Sequence, residues 1–164
     1  MLPEEKQDIE EKAKVLGLRI TILPRIGIGT LDNSVGPEEI LAYQLMGSEI
    51  NGNLCPFLDM KTEKRSPHGG QFCQIYKTRP LACQAYPVIS NSGSNLLLDS
   101  KCAFSCKYGN SCTPQPMESE LIALNRIKNS VTLHSECNIW RYATGVGDDK
   151  YKKYFLTEGW YLQK

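Results

Sequence analysis

The sequence predicts a small α+β domain in which two helices flank short strands and an irregular, metal-organised cysteine region. Three observations carry this expectation: a helical apolar period near each end, branched-residue and hairpin patterns between them, and thiols concentrated from position 55 to 112. At 164 residues the chain has the length of one domain with its own core. Residues 1–164 are read as a single cysteine-cluster domain, with 1–112 bearing the cluster and 113–164 supplying a helix and an aromatic tail.

Residues 3–17 read as the first helix. Pro3 suits its first turn, Glu4, Glu5 and Asp8 favour its N-terminal end, and Gly17 stops it, with Ile9, Ala13 and Leu16 as its apolar stripe. A strand is expected over Leu18–Leu23, ending before Pro24, followed by a loop punctuated by Gly27, Gly29 and Gly36. Gly27 and Gly29 lack the continuation of a phosphate-binding loop and are turn glycines. Ile40–Met46 is expected to enter the cysteine region as a strand. Residues 61–71 are polar and read as a surface loop. Tyr86–Ser90 and Asn95–Asp99, flanking Ser-Asn-Ser-Gly-Ser, predict a hairpin. The second helix spans 114–131, with Pro114 and Pro116 in its first turn and Met117, Leu121, Leu124, Ile127 and Val131 on its apolar face. The aromatic tail, with Trp140, Tyr142, Tyr151, Tyr154, Phe155, Trp160 and Tyr161, is expected to pack on the rest of the domain.

A net charge of +1, with both signs spread along the chain, gives no field that would draw nucleic acid or a membrane surface. No apolar run reaches the roughly 20 residues that cross a bilayer, and the acidic start is unlike a secretory signal, so a cytoplasmic location is expected. In a reducing compartment clustered thiols bind metal or do redox chemistry more often than they pair. Seven cysteines, an odd number, also argue against a disulfide framework.

Cysteine thiolates are soft ligands suited to zinc or iron–sulfur clusters. Cys55, Cys73 and Cys83 are spaced more widely than the pairs of common zinc fingers, and only Cys102 and Cys106 approach pair spacing. Pro80 biases Arg79 toward extended backbone and starts a short helical turn carrying Leu81, Ala82 and Cys83. Arg79 then either offsets the negative charge of a thiolate centre or forms a surface ion pair. Tyr76 and Tyr86 either hydrogen-bond beside the site or pack as core aromatics, and Asp59 closes a turn after Cys55.

The tract Cys55-Pro56-Phe57-Leu58-Asp59, followed by Cys73, Ile75, Tyr76, Arg79, Pro80, Cys83, Tyr86 and Pro87, resembles the cysteine-cluster family of zinc- or iron-chelating domains, which includes flagellin lysine N-methylases. The resemblance runs over roughly residues 1–106, and Cys102 falls where many members have a further cysteine. It implies metal binding; the candidate ligands are Cys55, Cys73 and Cys83 with one or more of Cys102, Cys106 and Cys112, and Arg79 and Tyr76 are the candidate cofactor-contacting residues. Family members begin with a Cys-x-x-x-Cys-x-x-Cys-Cys segment before the acidic helix, whereas this chain opens on the helix. An upstream segment is therefore expected, in preference to replacement of its ligands by Cys106 and Cys112. Nothing in the sequence resembles an S-adenosylmethionine pocket.

The leading expectation is an iron–sulfur cluster, four-iron four-sulfide favoured by the wide ligand spacing and Arg79, in a redox or cluster-dependent role. The alternative is a structural zinc site, with the aromatic tail presenting a surface to a protein partner. Thiol catalysis by Cys73 or Cys137 with His68 or His134 as base is the weakest reading, because both histidines lie in polar stretches.

Overall fold

The computed structural model describes residues 1–30, 36–49, 52–67, 70–132, 134, 137–143 and 159–163. These form an α+β fold of helices and two antiparallel sheets. One sheet has the order β2-β1-β6-β7, built from β1 (Ile22–Gly29), β2 (Glu39–Leu45), β6 (Asn138–Ala143) and β7 (Gly159–Leu162). The other has the order β3-β4-β5, from β3 (Val88–Ser92), β4 (Asn95–Leu98) and β5 (Ser111–Cys112). The helices are α1 (Lys6–Val15), preceded by a 3-10 turn at Pro3–Glu5, then α2 (Leu81–Ala85), α3 (Ala103–Tyr108) and α4 (Glu118–Thr132).

The two long helices and the hairpin stand where the sequence places them. In α1, Ile9 and Ala13 are buried while Leu16 is exposed, because the helix ends before the stripe completes another turn. In the second helical segment, Met117 is fully buried against Val88, Leu96 and Leu98 of the small sheet. Val131, at the far end of the same stripe, is exposed.

Strand β1 lies further along the chain than Leu18–Leu23 and runs through Pro24. Pro24 faces Tyr43 of β2, and the N–H and C=O of Tyr43 both turn away from it to bond the backbone of Met1, at 2.9 and 2.8 Å. The missing proline N–H therefore falls at a position that needs no donor. Pairing with β6 begins only at Ile26, so Pro24 also leaves no gap on that side. Gly27 and Gly29 belong to this strand and not to a loop. A Cβ at Gly27 would stand 2.5 Å from the Pro37 side chain, so the approach of residues 37–39 needs glycine there.

The aromatic tail packs by forming strands. Trp140 is buried in β6, and Tyr142 meets Trp160 of β7 edge to face at 5.3 Å between ring centroids. Tyr151, Tyr154 and Phe155 lie outside the described residues.

The cluster that positions the cysteine tract is formed by Ile9, Ala13, Phe57 and Ile75, with Cys55 and Cys73 packed at its margin. Phe57 is 1% exposed and is the largest side chain in it. Truncation of a fully buried phenylalanine removes transfer energy and leaves a void, so Phe57→Ala is expected to cost about 3–5 kcal/mol in urea unfolding. A loss under about 1 kcal/mol would show that the cysteine loops are held by something else.

Candidate functional site

Cys55, Cys73 and Cys83 reach one cavity from three separately anchored segments. The chain between β2 and Cys55 folds back on itself at Gly47, where a Cβ would fall on the Asn53 carbonyl, and Ser48 bridges Leu54. Residues 57–59 then pair with 72–74 through an isolated bridge, Leu58 to Cys73. Gln74 donates to the Phe57 carbonyl and Asp59 to the Phe72 carbonyl, both at 2.8 Å. This short pairing holds Cys55 and Cys73 beside the same hydrophobic cluster. Asp59 closes the next turn, accepting from the N–H groups of Lys61 and Thr62 and from the Thr62 hydroxyl. These bonds hold its carboxyl below the usual aspartate value.

Cys83 arrives on α2. Arg79 is extended, with φ −67° and ψ 152°, Pro80 is the cap residue, and the helix begins at Leu81, as the X-Pro restriction predicts. Glu5, a residue absent from the expected site, fixes the start of this helix. One carboxylate oxygen accepts from the Leu81 N–H and the other from the Leu2 N–H, both at 2.7 Å. Leu81 and Ala85 pack with Leu2 and Ala123, so α2 is wedged between the N-terminal segment and α4.

The cavity measures about 460 Å³ and is bordered by all three thiols and by Arg79. Apolar walls come from Ile9, Ile26, Leu45, Phe57 and Ile75, and Arg25 and Arg141 also border it. The Arg79 guanidinium stacks on the Tyr76 ring at 4.0 Å from its centroid, and its buried Nε has no hydrogen-bond partner among the described residues. Of the two expectations for Arg79, the ion pair is not formed: among the described residues its side chain has no carboxylate partner. Tyr76 does not border the cavity, and its role there is to carry Arg79.

All three thiols are pushed up. Burial is the main cause at Cys55, and the charge of Cys73 adds to it. Burial raises Cys73, partly offset by the Ile75 backbone and by Arg79. Cys83, although exposed as a residue where the cavity opens, has a crowded sulfur and is pushed up to about 11. Burial leads, the Cys55 and Cys73 charges follow, and the Met1 amino group and Arg79 oppose. Cys55 thus feels the charge of Cys73, and Cys83 that of both others.

Cys102, Cys106 and Cys112 do not border this cavity, so the six expected ligands do not form one site. Cys102 is buried ahead of α3 beside Tyr86, whose hydroxyl is pushed up to about 12 by desolvation first and then by Cys102 and Asp99. Cys106 is exposed and its Sγ donates to the Ser100 carbonyl at 3.5 Å. Cys112 pairs with Leu96 in the small sheet and packs, half-buried, against the Val88 cluster. His134 and Cys137 share a backbone turn, with the Cys137 N–H donating to the His134 carbonyl at 3.1 Å. His134 borders a different cavity from Cys73, and His68 lies outside the described residues. Among the described residues no three Cys, His, Asp or Glu side chains are drawn together closely enough to hold a metal ion as they stand. No described helix is long and apolar enough to cross a membrane.

Arg25 and Arg141 were not legible as site residues. Between Pro24 and Ile26 strand β1 advances two residues while β2 advances one, a bulge that leaves Arg25 unpaired with β2. In a regular strand consecutive residues point to opposite faces, and a bulge re-aims one of them, so Arg25 and Ile26 both border the cavity. Compared with protein-family models, curated proteins and solved structures, the chain matches none.

Two outcomes follow. A folded thiol held above its unfolded value stabilises the fold below the unfolded pKa, and this is lost as pH rises through the folded one. Melting of the metal-free protein should therefore fall as pH rises from the ordinary 9.0 toward about 11, with a shallower fall in Cys83→Ser; equal slopes would contradict the assignment. Glu5→Ala removes two charge-assisted bonds and is expected to cost about 3 kcal/mol in urea unfolding, with Glu5→Gln costing less because one acceptor oxygen remains.

Proposed function

We propose that this is a metal-binding protein that holds an iron–sulfur cluster, or an iron or zinc ion, through Cys55, Cys73 and Cys83. The observation that carries the reading is that these three thiols, remote from one another along the chain, border a single cavity and interact electrostatically within it. Three soft donors suit the thiophilic metals, and a raised thiol gives up its proton readily only to a cation that replaces it. The resemblance of the tract to cysteine-cluster chelating domains supports the same reading, on the same residues. Cys102, Cys106 and Cys112 are left out of the proposed ligand set, because they serve the small sheet and α3 instead.

Between the two kinds of centre, the wide sequence spacing of the thiols and the neighbouring Arg79 favour the cluster. Arg79, held on Tyr76 with an unpartnered Nε, would donate toward sulfur and offset the negative charge of a thiolate-bound centre.

Anaerobic purification with iron, sulfide and zinc analysis tests the reading. Iron and sulfide in equal amounts are expected, reduced more than twofold in Cys83→Ser and unchanged in Cys112→Ser. Stoichiometric zinc without iron would favour the structural-zinc alternative, and a protein that takes up neither metal after reconstitution would end the metal reading. Uptake should also strengthen by up to about tenfold per pH unit for each thiol proton displaced.

A further inference from the structure

The geometry points to a second ligand in the same cavity: a small organic anion with an apolar body, its carboxylate or phosphate head held by Arg25, Arg79 and Arg141. This goes beyond the metal reading and rests on the guanidiniums and not on the thiols.

Three observations converge. All three arginines border the cavity, and among the described residues its lining contains no aspartate or glutamate. Each guanidinium is held in place by a neutral partner. Arg25 Nη1 donates to the Tyr142 carbonyl at 2.9 Å, Arg141 Nε donates to Gln163 Oε1 at 2.6 Å, and Arg79 lies on the Tyr76 ring. Among the described residues none of the three has a carboxylate partner. The arginines are thus fixed without being neutralised, and each retains N–H donors in the planar arrangement that matches a carboxylate or phosphate.

The three guanidiniums bring three positive charges to the cavity wall. Three thiolates around a divalent cation would still leave the cavity positive. Bare inorganic anions would use only the charge, whereas the Ile26, Leu45, Phe57 and Ile75 walls offer an apolar body its own burial. A cavity of about 460 Å³ falls in the range of small-molecule sites.

Titration calorimetry of the full chain, as purified and with its metal content measured alongside, tests the inference with four probes: hexanoate, hexyl phosphate, hexanol and inorganic phosphate. Hexanoate or hexyl phosphate should bind, the tighter of the two naming the head group. Hexanol and inorganic phosphate should each bind at least tenfold more weakly. Raising the salt concentration should weaken the anion and not the alcohol. Arg141→Gln, a change at an exposed position, should weaken anion binding severalfold with metal content unaltered, which separates this inference from the metal reading. Equal binding of hexanol, equal binding of inorganic phosphate, or unchanged anion binding in both Arg141→Gln and Arg25→Gln would overturn it.

Discussion

The carboxylate of Glu5 joins the two parts of the molecule on which everything at the cavity depends. One oxygen ties down the segment that bonds β2 through Met1, and the other caps the helix that presents Cys83. A carboxylate at a helix N-terminus is favoured by the unpaired N–H groups and by the dipole, even in a helix as short as α2. Glu5 and Leu81 are far apart in sequence, so this contact sets the position of α2 relative to the large sheet. Without it, α2 would be placed only by Leu81 and Ala85 against Leu2 and α4.

The thiols are arranged around a second anchor, Phe57. Its burial between α1 and Ile75 holds the 57–59 and 72–74 segments together where they make only an isolated bridge. Such a bridge has few hydrogen bonds of its own, and the apolar burial beneath it supplies what the ladder does not. The same burial that positions the sulfurs also desolvates them, which is why all three are harder to ionise than ordinary thiols. Position and protonation thus share one cause.

Elements governed by local rules were legible in the sequence. The first helix, the 88–98 hairpin, β2 and the turn of Pro80 onto Cys83 all follow from caps, periodicity and the restriction before proline. Cys55, Cys73 and Cys83 share one tract in the sequence and border one cavity, without being drawn together closely enough to hold a metal ion as they stand. What escaped was set by partners distant in the chain. Pro24 reads as a strand terminator until Met1 is seen to take the backbone groups of Tyr43, and Gly27 reads as a turn until Pro37 is seen against it. Cys102, Cys106 and Cys112 looked like ligands because they follow the tract closely in sequence, whereas Cys112 packs against the small-sheet core. Arg25 and Arg141 carry no motif at all, and only a bulge and a late strand bring them to the cavity.

That late strand gives the cavity a history in time. Arg141 stands on β6, Arg25 is held by the Tyr142 carbonyl of β6, and Gln163, which fixes Arg141, bonds back to Ile139 at the end of β7. Two of the three guanidiniums therefore reach their places only after the last strand pair has formed. During synthesis, Cys55, Cys73 and Cys83 leave the ribosome ahead of that strand pair, and at about 5–20 residues per second the delay lasts several seconds. In that interval the thiols can meet metal or oxidant with α1 and Phe57 already available to gather them, but without the cationic wall that later surrounds them. The nascent chain is thus a different chemical object from the finished one: first a set of thiols open to the surrounding solution, and only afterwards a cavity bordered by three guanidiniums.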